Sequence, residues 1–502
     1  MRTALLLLLA AAVLTTAAAP APTPAAVAAG AGLSLNPAVG PPTSLVKAKG
    51  AGYAAGEVVA LYFDAARVGS AIASRTGKFN ARFAAPASAR PGDHVVEAVG
   101  QSSDITARAL FLVRTDWLQG CFEAGRSCFN SYENVLGPGN AGALVPVWRA
   151  AVGVDGSSSP VYANGTLFVG TAEGLVGLDP ATGAIIINDR SGPVSTTPAV
   201  IRGFDPQPDP PGKVIFGSSD GILHAVSTTG EPLWQVDLGA APASPLVPPC
   251  FPPDPCKVIV GAGNTLFAFD ENGTRLWATV LEGGDISRAA AVLTVPPEPE
   301  EAVVAAGNRL YAFDLASGAV IWATAPSSSA LGAPAIGNPN IIGDPNVLVG
   351  DAAGTLFSLD RRTGAVTSTF AARGRISGSP AIGDPNESEP WILVGDGGGN
   401  IYAFDTTDEF PPPIWEAGLG GPVDGPPVLA NGVVYIATDP EIGDPHIFAL
   451  DQASGRVLFD GLLPTGWRRS RSSRTGSSSS RPGVARSSAT RHRTRRERGT
   501  GR

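Results

Sequence analysis

An aspartate closes the same short apolar phrase again and again along this chain. It stands at Asp179, Asp270, Asp314, Asp360, Asp405 and Asp451, with Val226 in its place in the second copy, at spacings of 47, 44, 44, 46, 45 and 46 residues. This period constrains the fold more than any other feature. A unit that short cannot bury its apolar faces alone and must stack on its own copies. Each copy carries four strand-like pieces. The first follows a small residue or proline and then Pro, as in SPVYA, TPAVI, SPLV, APAIG, SPAIG and PPVLA. The second reads LFVGT, VIFGS, VIVGA, AVVAA, VLVGD, ILVGD or VYIAT, and the third LVGLD, LHAVS, LFAFD, LYAFD, LFSLD, IYAFD or IFALD. The fourth carries Trp234, Trp277, Trp322 or Trp415 in the better copies. Alternation with period two lets each strand face two neighbouring units. Strand-rich copies of this length predict the four-stranded blades of a β-propeller.

The turns agree with the strands. GTAEG and GDAAG are tight hairpins between the second and third pieces, where glycine supplies a positive φ. DPATG, DLASG and DQASG turn between the third and fourth: the Asp side chain bonds its own backbone and the Gly takes the left-handed position. The Trp of each fourth strand is expected to wedge between blades. Across the whole chain, 62 Gly and 46 Pro against a single Met favour turns and short strands over long helices.

The flanks read differently. Residues 1–19 resemble a secretion signal: Arg2, the apolar run ALLLLLAAAVL and small residues up to a cleavage point after Ala19. An Ala/Pro-rich spacer, 20–30, comes next. Residues 31–115 carry alternating runs (SLVKAKG, EVVALYFD, ARVGSAIA, KFNARFAA, HVVEAVG, ARALFLV) separated by Gly/Pro turns, the pattern of a β-sandwich. Residues 116–145 read as a linker, 146–462 as the propeller and 463–502 as a basic tail. No Cys stands after the signal to carry a lipid anchor, and no later stretch reads as a membrane span.

Charge excludes one class of partner. The formal net charge is −8, but residues 467–502 hold twelve Arg and one Glu; without them 24 basic face 43 acidic residues, a net of −19. So acidic a body is not a nucleic-acid binder. The four cysteines form two close pairs, Cys121 with Cys128 in CFEAGRSC and Cys250 with Cys256 in CFPPDPC. Two local disulfides in an oxidising compartment are the expectation. A zinc site would need the pairs to converge or a His beside them.

The phrase DGxLYALDxxTGxxxW, repeated through 146–462, resembles the pyrroloquinoline-quinone-type (PQQ-like) propeller repeat, and residues 31–115 resemble bacterial immunoglobulin-like domains. Proteins with that repeat include quinoprotein alcohol dehydrogenases, outer-membrane assembly scaffolds and secreted propellers without assigned activity. The fifth and sixth copies also resemble integrin-type repeats, whose calcium loop is degenerate here at Asp344 to Asn346 and Asp384 to Asn386. The resemblance implies that a dehydrogenase would hold its quinone with two adjacent disulfide-bonded cysteines, a stacking Trp and a calcium ion. No two Cys are adjacent here, and the Trp residues fit blade packing instead.

Little else in the sequence suggests chemistry. His94, His224, His446 and His492 have no second His at metal spacing. GSSDG, Gly217 to Gly221, matches a serine-hydrolase elbow but aligns with the repeat's own hairpin, where no strand-to-helix turn exists. The reading is therefore all-β: an immunoglobulin-like sandwich, then a propeller of seven complete repeats. Its function is that of a secreted bacterial binding or scaffold protein without catalysis, extracellular or at the cell envelope. It would be a monomer meeting an extracellular protein or polysaccharide through its loops, with no quinone, calcium or other cofactor. A PQQ-dependent dehydrogenase and an envelope-assembly scaffold are the alternatives.

Fourth-strand pieces number eight, counting the one at Trp148, against seven inner sets. Given suitable codons, RSSRTGSSSS (Arg471 to Ser480), read two bases on, spells Val-Val-Ala-Asp-Gly-Val-Val-Phe-Val, the pattern of VLANGVVYI one repeat earlier. We read the tail as a frameshifted eighth repeat. Sequencing the gene across codons 460–470 should show the blade pattern in a second frame; its absence from all frames refutes this.

Overall fold

The computed structural model describes residues 31–152, 158–202, 212–250, 255–293, 300–336, 346–383, 391–405, 410, 412–438 and 445–462. The proposed signal, the tail, His492 and most of the degenerate calcium loops lie outside these residues. Among the described residues, strands carry nearly all the regular structure, with one short 3-10 turn at Ala141–Ala143. No helix among them is long and apolar enough to cross a membrane.

The first part is a two-sheet sandwich. Gly32–Asn36, Leu45–Ala51 and Phe79–Ala84 form one sheet; Val39–Gly40, Thr106–Val113, Gly92–Gly100, Val58–Phe63 and Ala66–Ile72 form the other in that spatial order. Alternation sends Val46, Ala48, Leu61, Phe63, Val96 and Phe111 into the space between them. Polar contacts tie the sandwich to the rest of the chain, among them one from the Arg114 guanidinium to Asn164 Oδ1 at 3.2 Å. Asp116, buried, pairs with Arg114 at 2.8 Å and with Arg202 of the second blade at 3.1 Å. The Asn134 amide donates to the carbonyls of Ala87 and Ala89.

Seven antiparallel sheets succeed one another in chain order. Blade 1 is Val161–Ala163, Thr166–Gly170, Leu175–Leu178 and Ile185–Asn188, and blade 2 is Ala199–Ile201, Lys213–Gly217, Ile222–Ser227 and Pro232–Asp237. In blade 3 the innermost strand shrinks to one bridge, Leu246 with Ile259, beside Lys257–Ala262, Thr265–Asp270 and Arg275–Val280. Blades 4, 5 and 6 begin at Ala291–Leu293, Ala335–Ile336 and Ala381–Gly383, and end at Val320–Thr324, Val366–Ala371 and Trp415–Gly418. Blade 7 is Val428–Ala430, Val433–Ala437, His446–Asp451 and Val457–Leu462. The middle strands are buried almost throughout, as at Thr355–Leu359 and Asn400–Phe404, because both of their faces meet other blades.

One contact repeats from blade to blade. The indole N–H of Trp234 donates to the Glu271 carbonyl, Trp277 to Leu315, Trp322 to Arg361 and Trp415 to Gln452; each acceptor lies in the turn before the next blade's outermost strand. The indole also lies flat on that turn's glycine. At Gly364, φ is +70° and a Cβ would stand 2.5 Å from the Trp322 ring. The same turn is closed by its aspartate: Asp360 Oδ1 accepts the Thr363 amide at 2.8 Å and the Thr363 hydroxyl at 2.6 Å. Blades 2, 3, 4 and 6 thus each offer a tryptophan forward to the turn of the next blade.

Trp148, ahead of blade 1, obeys the rule. Its indole donates to the Pro180 carbonyl at 2.7 Å and packs on Gly183. The fourth strand expected at residues 146–152 is not formed; only its docking is kept. With Ala150 and Val152, Trp148 covers Val169, Val176 and Leu178 of blade 1. Trp148 thus docks as an eighth outer piece beside seven described sheets, of which that of blade 3 has three strands. The segment expected to be a linker fills the difference: Ala141 packs with Trp117 among Val433, Tyr435 and Ala449 of blade 7.

Two measurements test the contact between tryptophan and turn. Trp322→Ala should cost about 3 kcal/mol, and Gly364→Ala about 2 kcal/mol from strain and the clash. Urea unfolding of the double variant should show a loss well below the sum, since both remove one contact; an additive result refutes that coupling. The aspartate cap is tested by pH. Hydrogen bonds from Thr182, Ser317 and Thr363 hold the carboxyls of Asp179, Asp314 and Asp360 below the ordinary 3.8. A carboxyl lowered in the folded state contributes stability above its unfolded pKa, and that contribution is lost as pH falls through the folded one. Stability should therefore fall as pH drops below 3.8, less steeply in Asp360→Asn, as followed by urea midpoints against pH.

Candidate functional site at the central channel

The innermost strand of each blade has one unpaired edge, and those edges line the axis. Their N–H groups need acceptors that the blades cannot supply. Residues 117–128 supply them in order round the ring. Tyr162 of blade 1 exchanges two backbone bonds with Trp117, both 2.8 Å, and Val200 of blade 2 donates to the Leu118 carbonyl at 2.7 Å. At blade 3 the Gln119 side chain substitutes for backbone, accepting from Val247 N–H at 2.9 Å and donating to its carbonyl at 3.2 Å. Val292, Ile336, Ile382 and Leu429 donate to the carbonyls of Ala124, Gly125, Ser127 and Cys128 at 2.8, 2.8, 2.8 and 3.0 Å. Every donor is the same position of its repeat. Phe129–Asn130 then pairs in parallel with Val428–Ala430 as a fifth strand of blade 7. The segment is a plug threaded through the ring, not a linker passing beside it.

The plug's backbone is strained. Cys121, Phe122, Arg126 and Cys128 all have positive φ, between 53° and 71°, though none is glycine. Such conformations persist where surroundings over-determine them, here seven blades and the Cys121–Cys128 disulfide. The plug also carries charge. Arg126 donates through Nε to Ser379 Oγ at 3.1 Å, and its guanidinium reaches Cys121 Sγ at 4.0 Å. Burial, and then the nearby Arg288 guanidinium, lower its pKa to about 10. Burial raises the Glu123 carboxyl, although Ser127 bonds it.

The second disulfide, Cys250–Cys256, lies in blade 3 between its first and second strands. The histidines are dispersed. His94 bonds Asp64 and the Arg90 carbonyl in the sandwich, and His446 bonds Asp460 on blade 7. His224 comes within 2.8 Å of Ser218 Oγ, the one serine–histidine bond among the described residues. A hydroxyl has a single proton, and the Asp220 carboxylate, also bonded to Ser218, takes it. His224 Nε2–H therefore donates to Ser218, the reverse of base activation. Ser218 is fully buried, and its loop is a hairpin between Lys213–Gly217 and Ile222–Ser227. Asn346, from a degenerate calcium loop, bonds Ser358 instead.

A family model described as PQQ_2, outer membrane protein assembly factor BamB, matches residues 142–249, 219–384 and 352–489. The chain belongs to this PQQ-like propeller family. Among solved structures it is similar to the quinohemoprotein alcohol dehydrogenase ADHIIG of Pseudomonas putida HK5, at 14% identity over 69% of this chain and 72% of that one, with a TM-score of 0.53. It is also similar to the quinohemoprotein alcohol dehydrogenase of Comamonas testosteroni, at 14% identity over 70% and 73% with a TM-score of 0.51. BamB of Moraxella catarrhalis matches at 18% identity over 50% and 70%, with a TM-score of 0.39. No curated protein matches. At such identities the two dehydrogenase structures show a shared fold alone.

A PQQ-like propeller invites a comparison of the described residues with the set that the resemblance implies for quinone and calcium. The disulfide on the axis joins cysteines seven positions apart and ties the plug's two limbs together. Trp234, Trp277, Trp322 and Trp415 are committed to neighbouring blades. Among the described residues no three His, Cys, Asp or Glu side chains form a group able to hold a metal.

The plug was not legible in the sequence. Its only trace was the excess of outer strands over inner sets, a slot something must fill. Replacing Cys121 and Cys128 by Ser should destabilise the protein by about 2–3 kcal/mol. Hydrogen exchange at the Ile382 and Leu429 amides should accelerate while outer-strand amides keep their protection; uniform exchange contradicts the plug's anchoring role.

Proposed function

We propose that this protein is a binding or scaffold protein without catalysis, working outside the cell or at the cell envelope. The observation that carries this is the plug. The axis of the ring is filled by the chain's own backbone, bonded to all seven blades, and the disulfide on that axis and the tryptophans between blades are engaged in structural contacts. Two disulfides suit an oxidising compartment. The family model's description, an outer membrane assembly factor, fits a scaffold at the envelope. The sandwich, immunoglobulin-like in its sequence pattern, would space the ring from an attachment or add adhesion. Ligands, an extracellular protein or polysaccharide, would meet the inter-blade loops around the channel mouth.

The test is direct. The purified chain, given PQQ and calcium with primary alcohols, should reduce no electron-acceptor dye and bind no quinone in a calcium-dependent manner. Dye reduction that depends on both additions overturns the proposal.

A further inference from the structure

Charge is divided unevenly along the chain. Residues 31–115 hold nine basic and five acidic side chains, a net of +4, whereas 116–462 hold fourteen basic and 38 acidic, a net of −24. Within the sandwich the acids are segregated too. Asp93 and Glu97 lie on Gly92–Gly100, Glu57 and Asp64 flank Val58–Phe63, and Asp104 precedes Thr106–Val113, so all five belong to the five-stranded sheet and its turns.

The three-stranded sheet is left basic. Val46, Ala48, Phe79 and Phe83 turn into the core, and Val46 pairs with Phe83, Ala48 with Ala81 and Gly50 with Phe79. The alternate positions therefore face outward together. Lys47 stands directly opposite Arg82 on one side and Asn36 on the other; Lys49 stands between Asn80 and Ser34. All six are exposed, as is Lys78, one residue before the strand Phe79–Ala84. Neighbouring positions on such a face lie about 5 Å apart between strands and about 7 Å apart along one. The three strands carry no acidic residue. Among the described residues, the side chains of Lys47, Lys49, Lys78 and Arg82 have no ion pair or hydrogen bond.

The usual structural reasons do not account for this. Charge on an edge strand discourages stray pairing, which explains Arg82. Lys47 and Lys49 are on the central strand, Leu45–Ala51. Like charges set opposite each other cost stability, and a face of mixed sign avoids that cost. The ring, for all its acid, leaves them exposed. Such a face fits an anionic partner, and its uncharged members choose the class. Ser34, Asn36 and Asn80 set hydroxyl and amide groups between the charges, as sugar hydroxyls require. Leu45 is the one large apolar side chain among the outward positions, too little for insertion into a bilayer.

We propose that the outer face of the three-stranded sheet binds an acidic polysaccharide, whose anionic groups meet Lys47, Lys49 and Arg82. This deepens the non-catalytic reading by giving the sandwich an adhesive face and a ligand class, and rests on it only in taking the sandwich as a module of attachment. The dye assay bears on catalysis alone, so either can fail without the other.

The experiment uses the full chain. Calorimetric titration is run with polygalacturonate, with uncharged dextran, and with vesicles of phosphatidylglycerol and phosphatidylcholine in equal parts. Polygalacturonate should bind, more weakly as salt rises, and dextran should not. Lys47→Gln combined with Lys49→Gln should weaken that binding about tenfold or more. Its melting temperature should equal or exceed the parent's, because repulsion around Arg82 is relieved. Arg67→Gln, on the edge strand Ala66–Ile72 of the other sheet, should leave binding unchanged. Absence of polygalacturonate binding, equal binding of dextran, unchanged affinity in the double variant, or an equal loss in Arg67→Gln overturns the proposal. So does tighter binding to the vesicles, which assigns the face to a membrane. Salt-sensitive self-association abolished by the double variant also overturns it, by assigning the face to the acidic ring of a second copy.

Discussion

The ring depends on the contact between each tryptophan and the capped turn of the blade ahead. An indole N–H held by a carbonyl fixes direction, the flat ring on a bare glycine fixes distance, and the aspartate fixes the turn's shape. A single such contact is modest. Repeated around an axis, it sets the angle between blades many times over, so the sheets have one way to pack. Where the tryptophan is missing, a smaller side chain keeps the geometry: Ile187 of blade 1 lies against Gly230 of blade 2.

Radial packing creates a second problem, at the centre. Each blade is an open sheet whose outermost edge faces outward, whereas seven innermost edges face one narrow channel. The plug answers with one carbonyl, or one glutamine side chain, for each edge. Its left-handed residues show that the path is imposed by the donors' positions rather than chosen by local preference. The same path brings Arg126 to Ser379 at the start of blade 6, where its Nε donates to the hydroxyl.

The boundary between blade 7 and blade 1 joins these themes. Trp148 docks on blade 1 as the outer strand of a preceding blade would, yet the chain behind it forms no sheet. Trp117, Ala141 and the strand Phe129–Asn130 line the remaining space against blade 7. The indole nitrogen of Trp117 and the hydroxyl of Tyr435, both in that cluster, are buried without hydrogen-bond partners among the described residues.

The sequence by itself determined the blades, because their signals are local and periodic. Asp360 caps a turn within four residues, Gly364 takes its φ from the same turn, and the Trp322 spacing repeats every forty-odd residues. Even Trp148 was legible as an outer strand's tryptophan, since it stands ahead of the first full copy. Both cysteine pairs were readable from proximity along the chain. Tertiary structure alone decided the plug. The plug bonds mostly through backbone carbonyls, which every residue possesses, so no side-chain pattern announces it. Arg126 and Ser379 lie far apart in sequence and meet only because the ring closes around the segment that carries the first of them.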